Sequence, residues 1–233
     1  MLRTPAWARA WSVLRLVISA VIITAIVAQL SLSVGRAIDR GNDVTTVIAN
    51  FFSFFTILSN AASAIVLICA AVWYFTRGTR ATAEPRGLAV ALACVTTYMI
   101  VTGLVYNILL RGIELPQGSE PIPWSNETLH VIAPIFLLLD LFLGPLRRKL
   151  TWSAVIAIAS FPILWVVYTL VRGPLVTNPI SGDPFWYPYP FLNPNNFDNG
   201  YLGVTAYVVG IAVAILAVGL LVVWVGRRRG ASL

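Results

Sequence analysis

The chain has 233 residues, 58% of them hydrophobic and 11% charged, with a mean hydropathy of +0.83. Soluble domains carry about 25% charged residues, so this composition excludes an ordinary soluble globular protein and points to an integral membrane protein. The net charge of +7 is not a nucleic-acid signal, because the basic residues follow a membrane topology, as their positions show below.

Six segments reach the roughly 20 apolar residues needed to cross a hydrocarbon core. They lie near 11–33, 51–75, 88–110, 128–143, 151–171 and 203–225. The sequence therefore predicts an all-α polytopic protein, a single integral membrane domain over 1–233. The first segment follows Arg3, Arg9 and Arg15 as a signal peptide would, but its apolar run is too long for one and no small-x-small cleavage site follows closely. Cys69 and Cys94 fall inside apolar helices and lack Cys-x-x-Cys partners. That argues against a disulfide framework or thiolate metal site and for two buried small hydrophobes. Lys149 is the single lysine, and the excess of Arg and Ala suggests a GC-rich genome and a bacterial plasma membrane.

Orientation follows from the basic residues, which accumulate on the cytoplasmic side. With both termini inside, that face collects Arg3, Arg9, Arg15, Arg77, Arg80, Arg86, Arg147, Arg148, Lys149 and Arg227 to Arg229, twelve of the 16 basic residues. The other face holds Arg36, Arg40, Arg111 and Arg172, among the acidic Asp39, Asp43, Glu114, Glu120, Asp183 and Asp198. The expectation is six spans with both termini cytoplasmic and anionic lipid against the terminal arginines.

The stretch Asn50-Phe-Phe-Ser53-Phe-Phe-Thr56-Ile-Leu-Ser59-Asn60-Ala-Ala-Ser63 opens the second span. At helical spacing Ser53, Thr56, Asn60 and Ser63 form one stripe. One reading is a polar seam that hydrogen-bonds neighbouring helices; the sharper one is an active hydroxyl on Thr56. Topology places Thr56 roughly 7–8 Å below the outer edge and His130, the single histidine, roughly 3–5 Å below it at 1.5 Å per residue. Tyr106 and Asn107, at the outer end of the third span, share that layer. A threonine hydroxyl needs a base, and neutral imidazole is the usual one. Equally, His130 suits a helix start, and threonine back-bonds to its own helix. Asp140 lies ten residues beyond His130, about 15 Å along the helix and too far to orient the ring. It suits a structural role, through Arg147 and Arg148 or a deep group such as Asn60. Glu127 is nearer but also fits the helix dipole. Pro134 and Pro162 predict kinks.

The last outer loop, 172–202, holds six prolines and the aromatic run Phe185-Trp-Tyr-Pro-Tyr-Pro-Phe-Leu192. It is either an interfacial aromatic belt or a cap folded over the outer mouth of the bundle. No metal-ligand spacing, glycine-rich phosphate loop or Gly-x-Ser-x-Gly motif is present, so no metal or other cofactor is expected. Asn126-Glu-Thr128 matches a glycosylation sequon but abuts a span.

Three of these motifs together resemble the androgen-induced-protein family and its bacterial six-helix relatives, intramembrane threonine hydrolases of fatty acid esters of hydroxy fatty acids. Phe55-Thr56-Ile-Leu-Ser-Asn60 resembles the helix with the nucleophilic threonine. His130 with Pro134 and Asp140 resembles the helix with the histidine, and Trp186-Tyr-Pro-Tyr-Pro-Phe-Leu192 resembles an outer-loop segment. The resemblance implies that Thr56 attacks a lipid ester carbonyl, His130 takes its proton, and an acyl-enzyme is then hydrolysed. Phe52, Phe55, Ser59, Asn60, Tyr106, Asn107, Trp186 and Tyr189 would contact substrate, with Asn60, Asn107 or Tyr106 as candidate oxyanion donors. The partners implied are a lipid ester and membrane lipids, not nucleic acid. The alternatives are a transporter or lipid-binding protein with a polar cavity in its outer half, although repeated halves and paired broken helices are lacking, and a non-catalytic envelope scaffold.

Overall fold

A computed structural model describes residues 4–113 and 121–230. Arg3, Glu114 and Glu120, assigned above to the two faces, lie outside the described residues. Six helices are long and apolar enough to cross a membrane. They are α1 (Pro5–Asp39), α3 (Phe55–Thr76), α4 (Arg86–Val105) with a π-helical turn to Leu110, the unit of α5 (Pro123–Glu127), a π turn and α6 (Ala133–Leu143), α7 (Ala154–Arg172) and α8 (Tyr201–Arg229). No strand occurs among the described residues. Large apolar side chains such as Ile156, Leu164 and Leu221 stand exposed on the outward faces. Hydrocarbon is the surrounding that tolerates them, and the protein is an integral membrane protein.

A short helix α2 (Val44–Phe51), which the hydropathy does not reveal, precedes α3. Asp43 caps it by accepting from the Thr46 N–H at 2.8 Å. The chain bends at Phe52-Ser-Phe54, so the second span starts at Phe55, not at residue 51, and the expected stripe is broken. The cause lies on α7. Trp165 Nε1 donates to the Ser53 carbonyl at 3.0 Å, and the Ser53 and Tyr168 hydroxyls pair at 2.9 Å. Arg172 donates to Asn50 Oδ1 at 2.7 Å. The first of these bonds satisfies a backbone carbonyl that a continuous helix would have satisfied itself, and the other two hold side chains of the bend against α7. Further along, Ser63 back-bonds to the Ser59 carbonyl at 2.7 Å and reaches no other helix.

Residues of α1 and of the 123–147 segment meet Glu84 at one end of the bundle, in a buried charge network. Asp140 accepts from Arg15 Nε at 2.8 Å, from Trp11 Nε1 at 2.5 Å and from Arg147 Nη2. Arg147 also faces Glu84 Oε1 at 3.6 Å. Two guanidinium groups and two carboxylates thus compensate each other where water is scarce. Of the partners weighed for Asp140, Arg147 is engaged; Arg148 instead donates to the Glu84 carbonyl at 2.6 Å, and Asn60 lies elsewhere.

Prolines shape the other half of the bundle. Pro162 cannot donate to the Ile158 carbonyl one turn earlier. Tyr98 does so from α4, at 3.0 Å. Pro134 likewise frees the His130 carbonyl, and its ring fits against α4 because residue 103 is glycine: a Cβ there would sit 3.0 Å from Pro134 Cβ. The long loop folds back into the bundle. Trp186, Tyr187, Tyr189 and Leu192 are each 5% exposed or less and belong to the main hydrophobic core. Cys69 departs from expectation: it faces outward from α3, whereas Cys94 is half-buried. A thiol facing hydrocarbon has no need to hide.

Candidate active site

Thr56 stands in the first turn of α3, directly after the bend, where backbone N–H groups have no partner within the helix. Phe54, at the cap position, has no side-chain acceptor to offer. The loop supplies one: the Thr56 N–H donates to Tyr189 Oη at 3.2 Å. The Thr56 carbonyl accepts from Asn60 Nδ2 at 2.9 Å and from the Ser59 hydroxyl at 3.1 Å. The Thr56 backbone is therefore held from both sides.

His130 lies in the π-helical turn Thr128–Ile132, between α5 and α6. A π turn re-aims the side chains it carries, and this one brings Nε2 to 3.3 Å from Thr56 Oγ1. The other ring nitrogen, Nδ1, lies 2.9 Å from the Asn126 carbonyl. A carbonyl only accepts, so Nδ1 carries the proton and Nε2 turns its lone pair to the hydroxyl. Tyr106 stacks on the imidazole at 3.8 Å between centroids, and the Asn126 side-chain amide donates to its hydroxyl. Glu127 is turned away: Arg111 holds it at 3.0 Å.

The remaining residues expected around Thr56 separate into three groups. Phe55, Tyr106 and Tyr189 line a cavity of about 110 Å³ that includes Thr56. Tyr189 Oη also lies 3.3 Å from Thr56 Oγ1. Burial raises its phenol above the ordinary tyrosine range, despite the opposing hydrogen bonds from Thr56, so it remains a donor. Ser59, Asn60, Asn107 and Trp186 support the site without lining that cavity. Ser59 pairs with the Thr102 hydroxyl at 3.2 Å. Asn60 Nδ2 also donates to the Leu129 carbonyl at 3.1 Å, tying α3 to the turn before His130. Asn107 donates to the His130 carbonyl and accepts from Arg111 Nε. Trp186 packs edge-on against Phe54. With their donors so engaged, neither Asn60 nor Asn107 faces Thr56 Oγ1 as an oxyanion donor would. Phe52 stands apart: the bend rotates it outward, 43% exposed, against Phe51.

The cavity runs beside α4 from Leu110 to Val101, between α7 at Pro162 and Val166 and α8 at Val208 and Ile215, with Phe191 and Leu192 of the loop above. Sequence reasoning missed this wall, because apolar residues facing a cavity look like those facing lipid. It also missed the Asn126 carbonyl, for which a side-chain motif gives no signal. Among the described residues, no three His, Cys, Asp or Glu groups cluster as metal ligands would.

No family model, curated protein or solved structure matches the chain.

Proposed function

We propose that the protein is an intramembrane hydrolase of lipid esters, with Thr56 as nucleophile and His130 as general base. The observation that carries this reading is the 3.3 Å approach of Thr56 Oγ1 to His130 Nε2, with the tautomer set by the Asn126 carbonyl. A hydroxyl, an oriented base and an apolar cavity in one place suit attack on an acyl carbonyl.

In the proposed reaction, Thr56 Oγ1 bonds to the ester carbonyl carbon while its proton passes to His130 Nε2. The carbonyl oxygen becomes an oxyanion beside Tyr189 Oη and the positive end of α3. The bond to the alcohol oxygen then breaks, and the departing alcohol takes the proton from His130. Water next attacks the acyl-threonine, giving a proton to Nε2; collapse returns that proton to Thr56 and releases the acid.

The resemblance to the androgen-induced-protein family supports the same reading and suggests fatty acid esters of hydroxy fatty acids as the substrate class. The basic residues favour both termini in the cytoplasm and the site in the outer leaflet. The arginine-rich composition favours a bacterial plasma membrane. The test is labelling of the purified protein by a fluorophosphonate probe, alongside ester hydrolysis. Thr56→Ala and His130→Ala are each expected to abolish both, with unchanged thermal unfolding. Full labelling of either variant would overturn the assignment.

A further inference from the structure

The wall of the cavity beside Thr56 is mostly hydrocarbon, and the Thr102 hydroxyl that also lines it is already paired with Ser59. Thr56, Tyr106 and Tyr189 lie at the end near the loop, while Val101, Pro162 and Ile215 close the other. From Leu110 to Val101 the slot follows α4 for about 13 Å at 1.5 Å per residue. An unsubstituted acyl chain suits such a slot, because it offers no polar group that the deep walls would leave unpaired.

The route into the slot can be read from exposure. Above it, Tyr189, Phe191 and Leu192 of the folded-back loop are buried against the slot. To the side, two lining residues are exposed on the outer surface: Ile163 of α7, at 58%, and Ala212 of α8. In a membrane-spanning bundle that surface meets lipid tails, so these two residues border the cavity on one side and hydrocarbon on the other. Pro162, directly before Ile163, keeps α7 from donating to its own Ile158 carbonyl, and Tyr98 takes that bond. The helix is thus spared a ladder bond at the level of the opening.

We infer that the gap between Ile163 and Ala212 is a lateral portal, through which a single acyl chain of a membrane-dissolved lipid ester slides from the bilayer into the α4 slot. This rests on the proposed hydrolase reading for the chemistry at Thr56, but occupancy of the slot does not require that chemistry. The slot selects by shape: a straight chain lies along α4, whereas a branch near the carboxyl end meets Val105 and Val208.

The test places bulk at each lip, with Ala212→Trp and Ile163→Trp, and uses Leu164→Trp as a control. Leu164 is 69% exposed and does not line the cavity. Purified proteins in phosphatidylcholine liposomes are assayed on a long-chain ester embedded in the bilayer and on a water-soluble acetate ester. Each lip variant is expected to lose at least tenfold on the long-chain ester and to keep the acetate rate; the control keeps both. A photoreactive diazirine fatty acid, mapped by peptide sequencing, is expected to label residues of the α4–α8 slot in wild type and to lose that label in the lip variants. Unchanged long-chain rates and labelling in both lip variants would overturn the portal. So would loss of acetate turnover in both, or wild-type label confined outside the slot. Slot labelling without any ester turnover would leave the portal standing and overturn the hydrolase reading.

Discussion

The side-chain amide of Asn107 donates to the carbonyl of His130 at 3.3 Å, across from α4 to the α5–α6 unit. That carbonyl would ordinarily accept from residue 134, which is proline and has no N–H to give. The bond therefore replaces a missing rung of the helix that carries the base. Its loss should loosen the turn that aims the imidazole. Asn107→Leu is expected to slow fluorophosphonate labelling at Thr56 about tenfold, or about 1.4 kcal/mol in barrier, while thermal unfolding changes little because position 107 is exposed. Labelling at the wild-type rate would show that the π turn holds His130 unaided.

Tyr189 is placed to act twice, as cap for the α3 N-terminus and as donor to charge developing at the ester. Tyr189→Phe keeps the ring stacked on Phe191 and removes only the hydroxyl. Turnover is expected to fall about 10- to 100-fold, below the range for losing a dedicated oxyanion donor because the helix terminus remains. The Michaelis constant should barely move, since the interaction strengthens in the transition state. A rise in that constant at unchanged turnover would assign Tyr189 to ground-state binding alone.

The charge network at the other end makes a stability prediction. Asp140 is fully buried between Arg15 and Arg147. Asp140→Asn keeps the shape but leaves two guanidinium groups without their main counter-charge, at a cost of about 3–5 kcal/mol. Arg15→Met combined with Asp140→Leu is expected to recover part of that loss, because one of the two stranded guanidinium groups then disappears and Arg147 keeps Glu84 beside it. Thermal unfolding in detergent of the single and double variants measures the difference; equal destabilisation would mean the network is not electrostatically coupled.

Glu84 adds a pH dependence. Burial raises its carboxyl above the ordinary 4.5, outweighing the pull of Arg147 and Arg15. A carboxyl whose folded pKa exceeds its unfolded one binds its proton more tightly when folded. Its contribution is complete below pH 4.5 and declines as pH rises through the folded value. Glu84→Gln is expected to remove that decline, so the melting temperature of the variant should fall less than that of wild type as pH is raised from 4 to 7. Parallel pH profiles would sink the argument.

The six spans are legible because hydrocarbon sets their length, and composition alone reports that length. The bend before Thr56 is not, because Trp165, Tyr168 and Arg172 impose it from a helix more than a hundred residues later. Matching depth put Thr56 and His130 in one layer; their approach depends on a π turn that hydropathy does not encode. Phe52 was misplaced for the same reason as the bend: a helical wheel drawn through residues 51–63 assumes a helix that is interrupted. Tyr189 could be found from its aromatic run, whereas Asn126 acts through a carbonyl that every residue possesses.

The pairing of Arg15 with Asp140 has a bearing on how the chain is made. The two residues stand 125 positions apart, so a ribosome delivers the cation long before its anion. Until α6 is synthesised, α1 carries a charge that lipid tails will not accept, and the polar rim of the bilayer or the insertion machinery has to shelter it. α1 is therefore settled only when α6 arrives, and every helix between is threaded while that debt of charge is outstanding.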